Sequence, residues 1–167
     1  MNNERDFYMW FGRASRIAEW REKRKLNFLG MPELIMWGPG LPLDGNKYLF
    51  IVTKRLGNNL EELWIENGKI LSAKTVINIG IQILINVLEY IHNSRHVHND
   101  VKPLNILIDP ECCDRVYLVD FGFAFEYKNW KREHATIEPN PKYAHFGTLE
   151  FTARDSHLGR FSRRADL

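Results

Sequence analysis

The chain has 167 residues, 44% of them hydrophobic and 26% charged, with a net charge of +2. That supplies a packed core for one domain, or one large part of a bigger one, and excludes both wholesale disorder and a polycationic nucleic-acid binder. The two cysteines, Cys112 and Cys113, are adjacent, which excludes a disulfide framework and a cysteine zinc site and fits a reducing compartment.

The charged start MNNERDFYMW has no signal-peptide core, so an intracellular location, nucleus or cytoplasm, is expected. Residues 3–25 read as helix in two pieces, with Phe7, Phe11, Ala14 and Ala18 at helical spacing and a basic, solvated end over Arg21–Lys25. Pro32–Trp37 and Tyr48–Lys54 read as strands, and Gly38-Pro39-Gly40 and Asp44-Gly45 supply turn chemistry between them. Asn58 or Asn59 caps a short helix whose inner face is Leu60, Leu63 and Trp64.

Ser72 caps the longest helix, about 73–93. Its predicted core face is Ile77, Ile81, Leu84, Leu88 and Ile91, widened by Val76, Ile83, Val87 and Tyr90. Asn78, Gln82, Asn86 and Glu89 interrupt the apolar run, so a buried helix is expected and a membrane span is not. Two short strands follow, Ile106–Ile108 and Val116–Val119, joined at Asp109-Pro110. Pro139 and Pro141 make residues 123–147 a long loop, and a long loop inside a domain is usually functional. The order predicts an α+β fold, helices segregated from small antiparallel sheets.

The chemistry concentrates in His98-Asn99-Asp100-Val101-Lys102-Pro103-Leu104-Asn105, with Asp120-Phe121-Gly122 beginning fifteen residues after Asn105. A lone HxD triplet is weak; HxDxKxxN, a hairpin and then DFG agree in order and spacing. Phosphoryl transfer needs a carboxylate to orient a hydroxyl and accept its proton, and oxygen ligands for a Mg²⁺ that bridges phosphates. Asp100 is the expected base, Asn105 and Asp120 the expected metal ligands, and Lys102 the group that reaches the transferring phosphate. His98 reads as a core histidine that positions the loop.

These motifs resemble the protein kinases, and within them the casein kinase 1 superfamily and its vaccinia-related kinase branch. The likeness extends through Phe7-Tyr8, Arg24-Lys25-Leu26, Leu29-Gly30 and Pro32, the run Val116–Gly122, and Gly147–Thr152 into Ser162–Leu167. It implies a two-lobed kinase fold, incomplete at both ends: residues 1–54 as a partial N-lobe from C-helix to hinge, and 55–167 as a mostly helical C-lobe up to the start of the F-helix. It implies ATP and Mg²⁺, with protein hydroxyls as substrates. It places Glu4 at the C-helix glutamate and stacks Tyr8, Phe121 and His98 between the lobes. Thr53 falls at the gatekeeper, the backbones of Lys54 and Leu56 at the adenine edge, and Leu107 beneath the ring. Thr148 is expected beside Asp100 and Lys102, and Asp166 to hold the catalytic loop's backbone.

The likeness departs in three places. No Gly-rich loop or strand lysine is present, so Glu4 is expected to lack a partner, and Asp155 is expected to lack its usual arginine. Asn99 stands where many kinases carry an arginine that grips a phosphorylated loop, so loop phosphorylation is expected to be dispensable. Two alternatives stay open: a degenerate kinase that binds partners without turnover, and a small-molecule kinase, against which Lys102 and the GTLEFT segment argue. Glu150, where the casein kinase 1 superfamily commonly carries a basic residue, implies a preference for basic, histone-like tails, to which Glu138 would add.

Overall fold

A computed structural model describes residues 3–40, 48–128, 139–144 and 146–167; the Asp44-Gly45 turn and Glu138 lie outside them. The N-terminal helix is two pieces, α1 (Asn3–Phe11) and α2 (Ala14–Arg24), broken at Gly12-Arg13. α2 ends on Lys25 in the left-handed region (φ 54°), and the Leu26 N–H returns to the Arg21 carbonyl at 2.8 Å.

β1 (Met36–Gly40) and β2 (Tyr48–Val52) pair antiparallel, Trp37 opposite Ile51 and Gly38 opposite Phe50. This corrects the reading of Gly38-Pro39-Gly40 as a turn. In a two-stranded ribbon every strand is an edge, so Pro39 sits in β1 with no central ladder to break. α3 (Leu60–Glu66) is capped by Asn59, whose side chain accepts from the Glu62 N–H at 2.9 Å. Its expected inner face is only half-covered, and Trp64 is exposed.

The long helix α4 runs Ala73–Asn93, capped by Ser72. It is long and apolar enough to cross a membrane by composition alone. A π-helical stretch, Ile81–Val87, interrupts it. Here the predicted face is corrected. Ile83, Val87, Leu88, Tyr90 and Ile91 are buried, while Val76, Ile77, Ile81, Leu84 and Ile85 are exposed. The π turn brings residues five apart into line, so Ile83 and Leu88 share the core, and the first part of the predicted row, Ile77, Ile81 and Leu84, rotates out while Leu88 and Ile91 stay in. Gln82 gains a role from the same distortion. Its Nε2 donates to the Asp114 carbonyl at 2.8 Å and its Oε1 accepts from the Val116 N–H at 3.1 Å.

The strand so pinned is β5 (Cys112–Leu118), paired with β4 (Ile106–Asp109); β3 (His96–Val97) precedes this hairpin, and β6 (Phe125–Glu126) follows it and pairs with β3. The expected long loop is therefore ordered at its start. β5 begins earlier than predicted, Asp109 facing Cys112 across a two-residue turn. Among the described residues, helices segregated from three two-stranded antiparallel sheets make the fold α+β.

One core joins both ends of this series. Phe7, Phe11, Ile17 and Trp20 from α1 and α2 pack with Val87, Leu88 and Ile91 of α4, with Val116 and Leu118, and with Phe121. Chain crossings are tight: a Cβ on Gly30 would lie 2.1 Å from the Val116 carbonyl oxygen, and Gly30 accepts from the Leu118 N–H at 2.9 Å. A second, aromatic cluster gathers Tyr127 and Phe161 around Val97, with Phe125, Tyr143 and Phe146 against it.

Candidate active site

The turn leaving β3 carries the catalytic-loop motif. His98 is fully buried, and burial pushes its imidazole below the ordinary value. Its Nδ1 lies 3.2 Å from the Asp100 N–H, so the proton sits on Nε2 and is donated to the Val119 carbonyl at 3.1 Å. A neutral histidine thus bolts the loop to the end of the hairpin.

Asp166, brought over by the last turn of chain, is buried and accepts three hydrogen bonds: from the His98 N–H at 2.9 Å, the Asn99 N–H at 2.8 Å and His92 Nε2 at 2.7 Å. It arrests two consecutive amides of the loop. This matters because Asn99 is held at φ 66°, a conformation that costs a non-glycine residue energy.

Asp100 is 3% exposed and caged. Its Oδ1 accepts from the Thr148 N–H at 2.9 Å and the Thr148 hydroxyl at 2.8 Å. Its Oδ2 faces Lys102 Nζ at 2.8 Å and accepts from Asn105 Nδ2 at 3.1 Å. Lys102 also donates to Thr148 Oγ1 at 2.6 Å. Burial works against the charge, but the donors from Lys102, Thr148 and Asn105 prevail and hold the carboxyl below its usual range. Gly147 makes the approach of Thr148 possible: at φ 92°, a Cβ there would stand 2.5 Å from the Asn99 carbonyl oxygen.

Asp120 sits differently. It is exposed, at φ 66°, and among the described residues its Oδ1 accepts only from the Gly122 N–H at 3.3 Å. Val119 beside it donates to the Asn105 carbonyl at 3.0 Å, tying the DFG turn to the loop. Phe121 is buried and stacks on Phe7 with centroids 4.4 Å apart; Tyr8 and His98 meet it edge-on at 5.3 and 5.0 Å. Glu4, expected to stand without a partner, accepts from the Phe121 backbone and faces Asp120. Burial, then the Asp120 charge, raise its pKa.

On the other side of β4 a cleft of about 670 Å³ is lined by Leu56, Leu104, Leu107 and Val119 with Arg55 and residues 57–59. It is shaped by pairing: the Gly57 N–H donates to the Ile108 carbonyl at 2.9 Å, and Asn58 accepts from the Ile108 N–H at 3.0 Å. Thr53 and Lys54 enter this segment from β2. The Lys54 ammonium lies 3.1 Å from Glu111 and 3.2 Å from Asp109, which lift its pKa.

Glu150 lies exposed on the turn Leu149–Phe151, with no ion pair among the described residues. Asp155, expected to lack its usual arginine, stands 3.5 Å from a different one, the exposed Arg164. Sequence reasoning missed Val119, His92 and the Gln82 clamp. Each is an ordinary helix or strand residue until the fold sets its neighbours.

A model of the protein kinase domain matches residues 35–155. The chain is similar to human serine/threonine-protein kinase VRK2, 38% identical over 167 residues, 99% of this chain and 32% of that protein. It is likewise similar to nucleosomal histone kinase 1 of Drosophila melanogaster, 39% identical over 98% of this chain and 26% of that one. B1 kinase of vaccinia virus (strain Western Reserve) is 34% identical over 98% of this chain and 54% of its own length. The solved structure of vaccinia related kinase 3 superposes with a TM-score of 0.85 at 32% identity, covering 98% of this chain and 50% of that one. The arrangement is thus that of a partial two-lobed kinase, and the chain spans about half, or less, of the relatives it matches.

Proposed function

The chain belongs to the protein kinase family, and we propose that it carries the catalytic and metal-holding loops of a Ser/Thr protein kinase using ATP and Mg²⁺. The cage around Asp100 carries this reading. A buried carboxylate kept ionised by Lys102, Thr148 and Asn105 is suited to orient a substrate hydroxyl. As the hydroxyl oxygen bonds to phosphorus and the bond to the departing diphosphate breaks, the proton passes to Asp100 Oδ. Lys102, already beside that oxygen, offsets charge on the phosphoryl group, and Thr148 fixes both side chains.

The residues fit the nucleotide and its cation. Asn105 spends its Nδ2 on the Asp100 carbonyl (2.9 Å) and carboxylate, leaving its Oδ1 as a ligand, and Asp120 offers an exposed carboxylate. Both are hard oxygen donors, and Mg²⁺ is held by one or two protein groups together with phosphates. This agrees with the absence, among the described residues, of any cluster of three or more His, Cys, Asp or Glu side chains. When bound, the cation neutralises charge developing on the phosphates. Leu56, Leu107 and Val119 supply apolar walls for a purine, with the backbones of Lys54 and Leu56 along its edge and Thr53 behind it.

For substrates we infer basic protein segments, from Glu150 exposed two residues after Thr148. Basic, histone-like tails are the chemistry it attracts, and one relative bears the name nucleosomal histone kinase. A nuclear or cytoplasmic site of action accords with both. The test is Mg²⁺-dependent transfer of labelled phosphate from ATP to a peptide array. Asp100→Asn is expected to abolish transfer, and Glu150→Arg to move the preference from basic to acidic peptides. Undiminished transfer by Asp100→Asn refutes the kinase assignment, and an unmoved preference refutes the selector.

A further inference from the structure

Asn99 meets three separate segments of the chain. Its N–H is bound to Asp166 Oδ1 at 2.8 Å. Its side-chain Nδ2 donates to the Phe123 carbonyl at 2.9 Å, one residue beyond the DFG turn. Its own carbonyl lies so close to Gly147 that only a glycine fits there. The residue therefore meets both ends of the stretch from Asp120 to Thr148, which emerges from the site at Phe123 and re-enters it at Gly147.

Two features set the side chain apart from ordinary packing. Asn99 is 7% exposed and held at φ 66°, and its Oδ1 is buried without a partner among the described residues. Asparagine tolerates the left-handed conformation better than most residues. Glycine would tolerate it more easily and bury no orphaned acceptor. A half-satisfied amide under backbone strain is a poor device for stability, so its use lies in the bond it does make.

We propose that Asn99 is a positioning residue whose neutral amide locks the segment leaving the DFG turn onto the catalytic loop. The proposal rests on the kinase reading for its consequence, which is that Asp120 and Asp100 stay aligned through a bond built into the chain. The Phe123 carbonyl, once fixed, sets the path into β6, whose two residues pair with His96 and Val97. β3 runs straight into the loop, so a lock at Phe123 closes a small ring: β3, catalytic loop, Asn99 amide, Phe123, β6 and back to β3.

The test compares Asn99→Gly, which keeps the backbone conformation and deletes the amide, with Asn99→Asp, which keeps the shape but turns an acceptor toward the Phe123 carbonyl. Amide hydrogen exchange is read at Ala124, Glu126 and Tyr127, and at Ile108, Val116 and Leu118 in the β4–β5 hairpin as reference. Both variants are expected to speed exchange at the first group by about fivefold to tenfold, the weight of one net hydrogen bond, and to leave the hairpin within about twofold. Unchanged exchange at Ala124 to Tyr127 overturns the proposal, and so does equal acceleration in the hairpin, which marks general destabilisation. In turnover, both variants should lower kcat and leave KM for Mg-ATP in place. If the unsubstituted protein transfers no phosphate, the kinase reading falls while the exchange result still decides whether Asn99 is the lock.

Discussion

Two groups of carboxylates meet in this molecule, and they are treated in opposite ways. Asp100 and Asp166 lie inside, 3% and 4% exposed, each enclosed by several donors from different segments. Asp120 and Glu150 are exposed and Glu4 and Asp155 half-buried, each with one weak partner, a like charge or none among the described residues. The inner pair is satisfied by the chain itself, and its geometry is present before any ligand arrives. The outer set is less fully satisfied by the chain, and from it the proposed function draws Asp120 for the cation and Glu150 for a basic substrate. Removing an inner carboxylate should therefore cost stability, and removing an outer one should cost function or nothing.

The largest effect is expected at Asp166. Asp166→Ala strands the buried N–H groups of His98 and Asn99 and the His92 ring, and each orphaned donor costs about 1–3 kcal/mol. The variant should lose roughly 3–5 kcal/mol in denaturant unfolding, much of a typical domain's stability. A loss under about 1 kcal/mol would show that water replaces the carboxylate and that the site is not closed.

Next come the two aspartates of the chemistry, compared as amides. Asp100→Asn presents N–H to Lys102 or to Thr148 and should destabilise by about 1–3 kcal/mol as well as abolish turnover. Asp120→Asn removes a charge facing Glu4 and should leave the unfolding midpoint level or slightly raised, while turnover falls by a factor on the order of 10² or more. Equal destabilisation by both would break the division into inner and outer groups.

Acid titration separates the same classes by sign. The Asp100 pKa is lowered on folding, so its stabilisation is present above the unfolded value near 4 and is lost as pH falls through the folded one. The Glu4 pKa is raised from 4.5. Its ionised form is disfavoured in the fold, so stability that it contributes below pH 4.5 is lost as pH rises through the raised value. In metal-free buffer, Glu4→Gln should thus gain stability at neutral pH and none below about pH 4. A variant no more stable than the parent at pH 7 contradicts the burial and repulsion assigned to Glu4.

How far the sequence discloses this division depends on the kind of constraint. HxDxKxxN followed by DFG is legible because the chemistry demands those residue types at a separation that one hairpin provides. The α+β class is legible from helical spacing and from the hairpin signals. The buried face of α4 is not, because a π turn changes the angular step in mid-helix and no residue between Ile81 and Val87 announces it. The pairing of Gly38-Pro39-Gly40 into β1 is hidden by a composition that favours turns, and in the two-stranded ribbon of the described residues Pro39 interrupts no further ladder. The cage itself is half visible. Thr148 and Asp166 follow from resemblance, but the second link to Asp166 through His92 joins residues 74 positions apart. No local pattern carries that.

The smallest effect separates the two aspartates that close the chain. Asp166 is the inner case; Asp155, eleven residues earlier, is the outer one, and resemblance left it without its usual arginine. The fold supplies Arg164 at 3.5 Å, but that guanidinium is 85% exposed and the Asp155 side chain 44% exposed. Such a pair gains little in water, because solvent screens the attraction and two side chains lose freedom to form it. Arg164→Ala should therefore shift stability by no more than about 0.5 kcal/mol, and raising salt from 0.1 to 1 M should erase even that, as the screening length falls from about 10 to about 3 Å. The short helix Arg154–His157 is held instead by backbone bonds, Leu158 and Arg160 both donating to the Asp155 carbonyl at 3.1 and 3.0 Å, and by the buried Ser156. A loss above about 1.5 kcal/mol in Arg164→Ala would place Asp155 with Asp166 among the structural carboxylates.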